Sequence, residues 1–450
     1  MSVLPGGLRV CVESVPQYGR GLAAVALTVA AGGDDDPAGR HGTAHLVEHL
    51  MFPRSGREGS ADPAGEGYAA LVAGAGGVCN AETHRDHTVF HTTVPAELLP
   101  DALAWEAGRL LGFAPTEDVI RTETDVIGEE IRGAGDAGRY WESALGALYP
   151  GSRDSFGTAA ELAGITAGEV EAFFRAHYTA PRMVLSVVGD VDPARVMAVV
   201  REVFGGVGVI GVAGEARAAV VARVAGEVRT AEEPRAAEQT RAAREIRAAE
   251  AHRAATEIRT APLPAARPGV AVGHPLPDPV ADRPAYLAQA VLAQVLGRSR
   301  LPALARSARD GHRLTSATVT CGYHGQWLAS AAPDLTLAVL GRAPGTEVGA
   351  AVDIWRSVLR AVADGPLPEA EHRRAVNSLL VAWHRQADSL PTRAVALGRD
   401  ALLLPGSAGP DALPAELRRT TPAEVAAAAR ALLEGPVTVT ELAPQKGTVG

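Results

Sequence analysis

Arginine recurs every six residues at Arg217, Arg223, Arg229, Arg235, Arg241, Arg247, Arg253 and Arg259, through units such as RAAEQT, RAAREI, RAAEAH and RAATEI. Six residues turn a helix about 240° past a full revolution, so successive arginines cannot share a face and no apolar stripe forms. Such a stretch has nothing to bury and cannot join a core. It divides the chain into residues 1–212, an Arg/Ala/Glu hexad-repeat linker over 213–268 that is flexible or partly helical and ends at PLPAARP, and residues 269–450.

On either side of that linker the elements follow a similar order. The first half offers strands at 8–15, 22–31, 88–94 and 183–188 and helices at 43–52, 95–111, 117–132, 167–177 and 193–204. The second offers strands at 269–273, 316–321 and 334–340 and helices at 283–296, 346–363 and 369–386. Strands come in hairpin-like succession instead of alternating with helices, which predicts an α+β fold in two halves of comparable size.

Charge and composition exclude several classes. With 43 Lys+Arg against 52 Asp+Glu the chain carries a net charge of −9, opposite to what a phosphate-binding surface needs. The arginines of the repeat are largely offset by interleaved glutamates, so no nucleic-acid partner is expected. No run approaches the roughly 18 apolar residues of a membrane span. Cys11, Cys79 and Cys321 are too few and too scattered for a disulfide framework, and the start MSVLPGGLRVCVESV reads as a strand and not a leader. A cytoplasmic protein is expected.

The chemistry is concentrated in HGTAHLVEHLMF. On a helix His45 and His49 lie four apart on one side, with Glu48 beside them. Two imidazoles so spaced can grip one Zn²⁺ while the carboxylate takes a proton from a water on the ion. A helix with two solvated histidines would show the same pattern, and a catalytic zinc needs a third protein ligand from elsewhere. EDVIRTETDVIGEEIRG offers one. Val126, Ile127 and Ile131 set an apolar stripe, and Glu123 and Glu130 lie seven apart, two turns along one face. A helix crossing behind the histidines could present Glu130 to the metal and Glu123 behind it, although glutamates on amphipathic helices are more often simply solvated.

HLVEH resembles the inverted zinc motif H-x-x-E-H of the pitrilysin, insulinase and mitochondrial-processing-peptidase family. LPGGLRVCVESV resembles that family's opening strand, GGVCNAETHRDHTVFHTTV its Asn-Ala-x-Thr strand, RTETDVIGEEI the helix of its third ligand, and MVLSVVGDVDPARVMAVVREVFG the elements closing its first half. The resemblance implies two homologous halves, each a mostly antiparallel sheet covered by helices, forming a clam-like chamber. It implies a zinc metalloendopeptidase with one zinc per chain, held by His45, His49 and Glu130. Glu48 would be the general base and Glu123 the supporting carboxylate. Glu130 is preferred to Glu129 because the family's ligand directly precedes an apolar residue, here Ile131. Extended substrate would add to the strand at Asn80 and Ala81, where Asn80 alternatively reads as a turn residue after Gly76 and Gly77. His84, His87 and His91 read as hydrogen-bonded structural groups.

In the second half the chain departs from these relatives, many of which carry an Arg and a Tyr that hold substrate and stabilise the oxyanion. In SRLPALARSARDGHRLTSATV the arginine position falls on Arg309, while Ser316 stands at the tyrosine position and is too short to replace it. Tyr323 and His312 lie near enough in sequence to substitute. Because the family includes heterodimers that divide zinc site and Arg/Tyr pair between subunits, the resemblance implies a catalytic subunit with a non-identical partner, or else a homodimer. The other reading is a non-catalytic scaffold or assembly subunit, but such members generally lose motif residues that are all present here.

Overall fold

The computed structural model describes residues 1–52, 67–133, 136–205, 257–306 and 314–444. Arg309, His312 and the repeat arginines from Arg217 to Arg253 lie outside the described residues. Strands in chain order are β1 Ser2–Val3, β2 Arg9–Ser14, β3 Leu22–Val29, β4 Val78–Thr83, β5 Thr88–Pro95, β6 Met183–Gly189, β7 Glu257–Arg259, β8 Leu263–Ala265, β9 Gly269–Pro275, β10 Leu314–Cys321, β11 Leu335–Arg342 and β12 Val437–Pro444. The helices that matter below are α1 Thr43–Leu50, α2 Tyr68–Gly74, α3 Leu99–Leu111, α4 Glu117–Gly133, α5 Asp136–Leu148, α6 Ala167–His177, α7 Pro193–Phe204, α8 Arg283–Val295, α9 Val348–Ala363 and α10 Leu390–Leu403. The fold is α+β.

Each of two compact units is built on one six-stranded sheet. The first sheet has the order β1-β2-β6-β3-β5-β4, the second β10-β11-β9-β12-β7, with β8 also on β12. From the parallel pair outward the two repeat one another. β2 pairs parallel with β6, and β7 with β12; every later step toward β4 or β10 is antiparallel. The strands β7 and β8 fall in the stretch 257–268, which the sequence reading assigned to the linker.

The units do not follow the chain halves. Residues Arg385–Pro410 join the first unit, and the segment ending at Arg153 that contains α5 joins the second. Period-two alternation explains why each sheet accepts such a helix. Along β3, Ala23, Val25, Leu27 and Val29 enter the main core with Leu46, Phe90, Leu103 and Phe174, while Ala24 and Ala26 turn to the opposite face against Leu390 and Ala394 of α10. Small residues permit close approach there: a Cβ on Gly398 would stand 2.5 Å from Thr28 Oγ1. In the second unit, Val270 and Val272 join the main core with Trp355, and Gly273 meets Ala144 of α5, where a Cβ would come within 2.8 Å. Trp141 Nε1 of α5 donates to Asp334 Oδ1 at 3.1 Å.

Candidate metal centre

α1 carries His45, Glu48 and His49 on a short helix whose apolar side, Leu46, Val47 and Leu50, is buried in the first unit's core. Both ends of α1 are tied down. At its start Gly42 has φ 101° and supplies no side-chain cap; the carboxylate of Asp36 accepts from Gly42 N at 2.7 Å and Ala44 N at 2.8 Å instead. Beyond its end, Arg109 donates to Met51 O at 3.4 Å and to both Glu106 oxygens at 2.6 Å. Its guanidinium lies over Tyr68 and Phe90 at 4.3 and 4.5 Å from the ring centroids. Tyr68 also donates to Glu106 at 3.0 Å.

α4 packs against α1 and brings Glu130 to the histidines. Glu130 Oε2 is 3.6 Å from His45 Nε2 and 3.6 Å from His49 Nε2. Ligand atoms about 2.0–2.2 Å from a tetrahedral zinc are about 3.4 Å apart, so this two-imidazole, one-carboxylate set fits that ion. Among the described residues this trio alone forms such a group. Glu129, one residue earlier, turns away to pair with Arg132 on the helix surface.

The other imidazole nitrogens are engaged. His45 Nδ1 faces Phe156 O at 3.3 Å, and His49 Nδ1 faces Glu123 Oε2 at 3.2 Å, which leaves each Nε2 free to aim at the ion. Glu123 is buried, only 4% exposed, against His49. Burial, reinforced by the charge of His49, lowers the pKa of His45 to about 4. Burial pushes His49 the same way, but its bond to Glu123 and the fields of Glu48, Glu130 and Glu123 outweigh it and the pKa rises. One imidazole driven neutral and its neighbour ringed by carboxylates make a site suited to a positive charge. Desolvation lifts the Glu48 carboxyl to about 7 against the pull of the Thr83 hydroxyl, which donates to it. An acid near neutrality is suited to proton transfer.

β4, which carries Asn80 and Ala81, is the outermost strand of its sheet among the described residues, in register with His91 and Phe90. Asn80 is exposed. Of the histidines that follow, His84 and His87 stack at 4.4 Å, His84 Nε2 meets Glu82 at 3.2 Å and His87 Nδ1 meets Asp86 at 2.9 Å. Ser316 lies exposed on β10 opposite Gly341. Tyr323 is buried against Trp141 in the second unit. Sequence reasoning did not single out Thr83, Phe156, Asp36, His41 or Asp154. Thr83 follows Asn80 by three residues and could have been sought as a neighbour of the base; Asp36 and His41 lie just before α1 and could have been sought as its cap, whereas Phe156 and Asp154 act across more than a hundred residues.

Residues 12–134 match the family model for Insulinase (Peptidase family M16) and residues 164–379 that for the Peptidase M16 inactive domain. The chain belongs to the insulinase family. It is 32% identical over 209 residues to an uncharacterized zinc protease of Mycobacterium tuberculosis, covering 45% of this chain and 46% of that one. It is 28% identical over 212 residues to the mitochondrial-processing peptidase subunit beta of Saccharomyces cerevisiae, covering 45% and 44%. The matched region therefore spans just under half the length of these relatives. A protease from Helicobacter pylori shares the fold over 98% of both chains with a TM-score of 0.76 at 19% identity. No described helix is long and apolar enough to cross a membrane.

Proposed function

We propose that this chain is a zinc-dependent endopeptidase for peptides or unfolded segments, with His45, His49 and Glu130 holding one zinc ion. The observation that carries the reading is the convergence of both Nε2 atoms on Glu130 Oε2 at 3.6 Å with Glu48 alongside. Bound zinc supplies Lewis acidity to the scissile carbonyl and acidifies a coordinated water. Glu48 accepts the proton and returns it to the leaving amine, a role suited to its elevated pKa. Glu123 holds the Nδ1–H of His49, fixing the tautomer that offers Nε2 to the ion. Asn80 and Ala81 present an outer strand edge on which an extended peptide can add, so that backbone pairing sets its register.

The reading extends to a non-identical partner. Ser316 cannot reach as a tyrosine would, and Tyr323 is buried in its own unit's core. An Arg/Tyr pair would then come from a homologous subunit, with Arg309 contributing on this chain, and the likeness to a peptidase beta subunit supports such an arrangement. The free thiols of Cys11, Cys79 and Cys321 support a cytoplasmic setting. Glu48→Gln tests the chemistry: zinc content should stay at one per chain while hydrolysis of a peptide library falls about 10²- to 10⁴-fold. Turnover that survives would remove Glu48 as base. Strong wild-type activity without any second polypeptide would remove the partner.

A further inference from the structure

The start of α1 and the loop Asp154–Gly157 are joined through one buried ring. His41 is 2% exposed; its Nδ1 lies 3.2 Å from Asp36 Oδ2 and its Nε2 3.0 Å from Asp154 Oδ1. Each carboxylate also holds backbone. Asp36 caps α1 at Gly42 and Ala44, and Asp154 Oδ1 accepts from Phe156 N at 3.0 Å and Gly157 N at 3.4 Å. The chain then crosses α1 at van der Waals distance, since a Cβ on Gly157 would stand 2.6 Å from Gly42 Cα. At that crossing Phe156 O faces His45 Nδ1, and the Phe156 ring packs edge-on to His45 with centroids 5.6 Å apart. Burial alone would discharge His41, but the two carboxylates raise its pKa to about 9. Both ring nitrogens therefore donate, which no neutral side chain of this size can reproduce.

We propose that His41 is a positioning residue of the metal centre: through Asp154 it fixes the Phe156 carbonyl that orients His45. The inference rests on the reading of His45 as a zinc ligand. Without the cation at position 41, Asp36 and Asp154 lose the charge they share, the loop relaxes, and His45 gains freedom to rotate or change tautomer. Loss of a group bonded directly to a metal ligand usually alters metal affinity about 10- to 100-fold, which is the upper bound for a support that acts through Asp154 and Phe156.

Zinc affinity by chelator competition, the visible absorption of the Co²⁺-substituted protein and far-ultraviolet circular dichroism would be compared for the whole chain, His41→Asn and Asp154→Asn. Expected are native-like dichroism, a zinc Kd weakened by up to about 10- to 100-fold in both variants and a changed cobalt spectrum. A merely structural role would lower the unfolding temperature yet leave affinity and cobalt spectrum at wild-type values, and that result overturns the proposal. Should His41→Asn not fold, Asp154→Asn decides by the same readings. Wild-type protein that binds no zinc would overturn the proposed function together with this inference; tight wild-type binding with unaltered variants would overturn this inference alone.

Discussion

The two sheets share one topology but fill the same position with opposite chemistry. In the first unit β3 leads into α1, which packs by the outer strand β4 and carries His45, Glu48 and His49. In the second, β9 leads into α8, which packs by the outer strand β10 and buries Tyr286, Leu287, Ala288, Ala290, Val291, Leu292, Ala293 and Val295. Its one buried polar residue, Gln289, is satisfied by Pro275 O at 2.9 Å and Thr336 Oγ1 at 3.0 Å. The same framework is thus stable with an ordinary apolar helix at this place. Ionisable groups there cost desolvation free energy, and the framework itself does not require them, which is the reason to look for function at this place.

The contrast is sharpest at the ligands themselves. Glu130→Ala should weaken zinc binding by more than about 100-fold, beyond the loss of an outer support, whereas Glu129→Ala should leave it unchanged. Equilibrium dialysis with metal analysis reads both, and equal affinities would break the assignment of Glu130. Next in size are the buried polar groups of each unit. Arg109→Met strands Glu106 and should cost about 3–5 kcal/mol; Gln289→Leu leaves two acceptors unmet in the second unit and should cost about 1–3 kcal/mol. Denaturant unfolding separates them, and Gln289→Leu should leave zinc content untouched.

The smallest effect is a pair of opposed pH dependences. His41 has its pKa raised to about 9, burial being overcome by Asp154 and Asp36, so its contribution is complete below about 6.5 and fades as pH rises through about 9. His274 in the second unit is lowered to about 3 by burial and then by Arg356. Its contribution is complete above about 6.5 and fades as pH falls toward about 3. Thermal unfolding of the metal-free chain should accordingly flatten on the alkaline side in His41→Asn and on the acid side in His274→Gln. Unchanged slopes in both variants would deny these charge states.

Much of this was legible in the sequence where the signal is local. The spacing of His45 and His49 needs only a helix, whereas Glu130 was preferred to Glu129 through the resemblance, in which the third ligand directly precedes an apolar residue, here Ile131. Elements with strong periodicity were legible in both halves, β3 and β6 because they are covered on both faces and read as continuous apolar runs, but β12 and the helices beyond residue 387 were not singled out. Helix α5 escaped notice, although Trp141, Ala144, Leu145 and Leu148 form a usable stripe. Helix α10 was not singled out either, and the transfer of α5 to the second unit and of α10 to the first was not legible, because both sheets offer a second face of small residues and no local pattern says which helix fills it. The repeat hid β7, since Glu257–Arg259 continues the hexad in sequence but pairs with Val437–Val439 in space, and β8 lay in PLPAARP, which reads as a breaker. Of the His41 network only the local half, Asp36 five residues earlier, lay within reach of the sequence; the other partner, Asp154, is 113 residues away.

His45, His49 and Glu130 would form one coordination sphere. Zinc X-ray absorption on the purified wild-type chain measures it directly: two imidazole nitrogens and carboxylate or water oxygens at about 2.0–2.2 Å, one zinc per chain, are predicted. Failure to retain zinc, or a shell with one imidazole or with sulfur, would contradict the claim that His45, His49 and Glu130 close on a single ion.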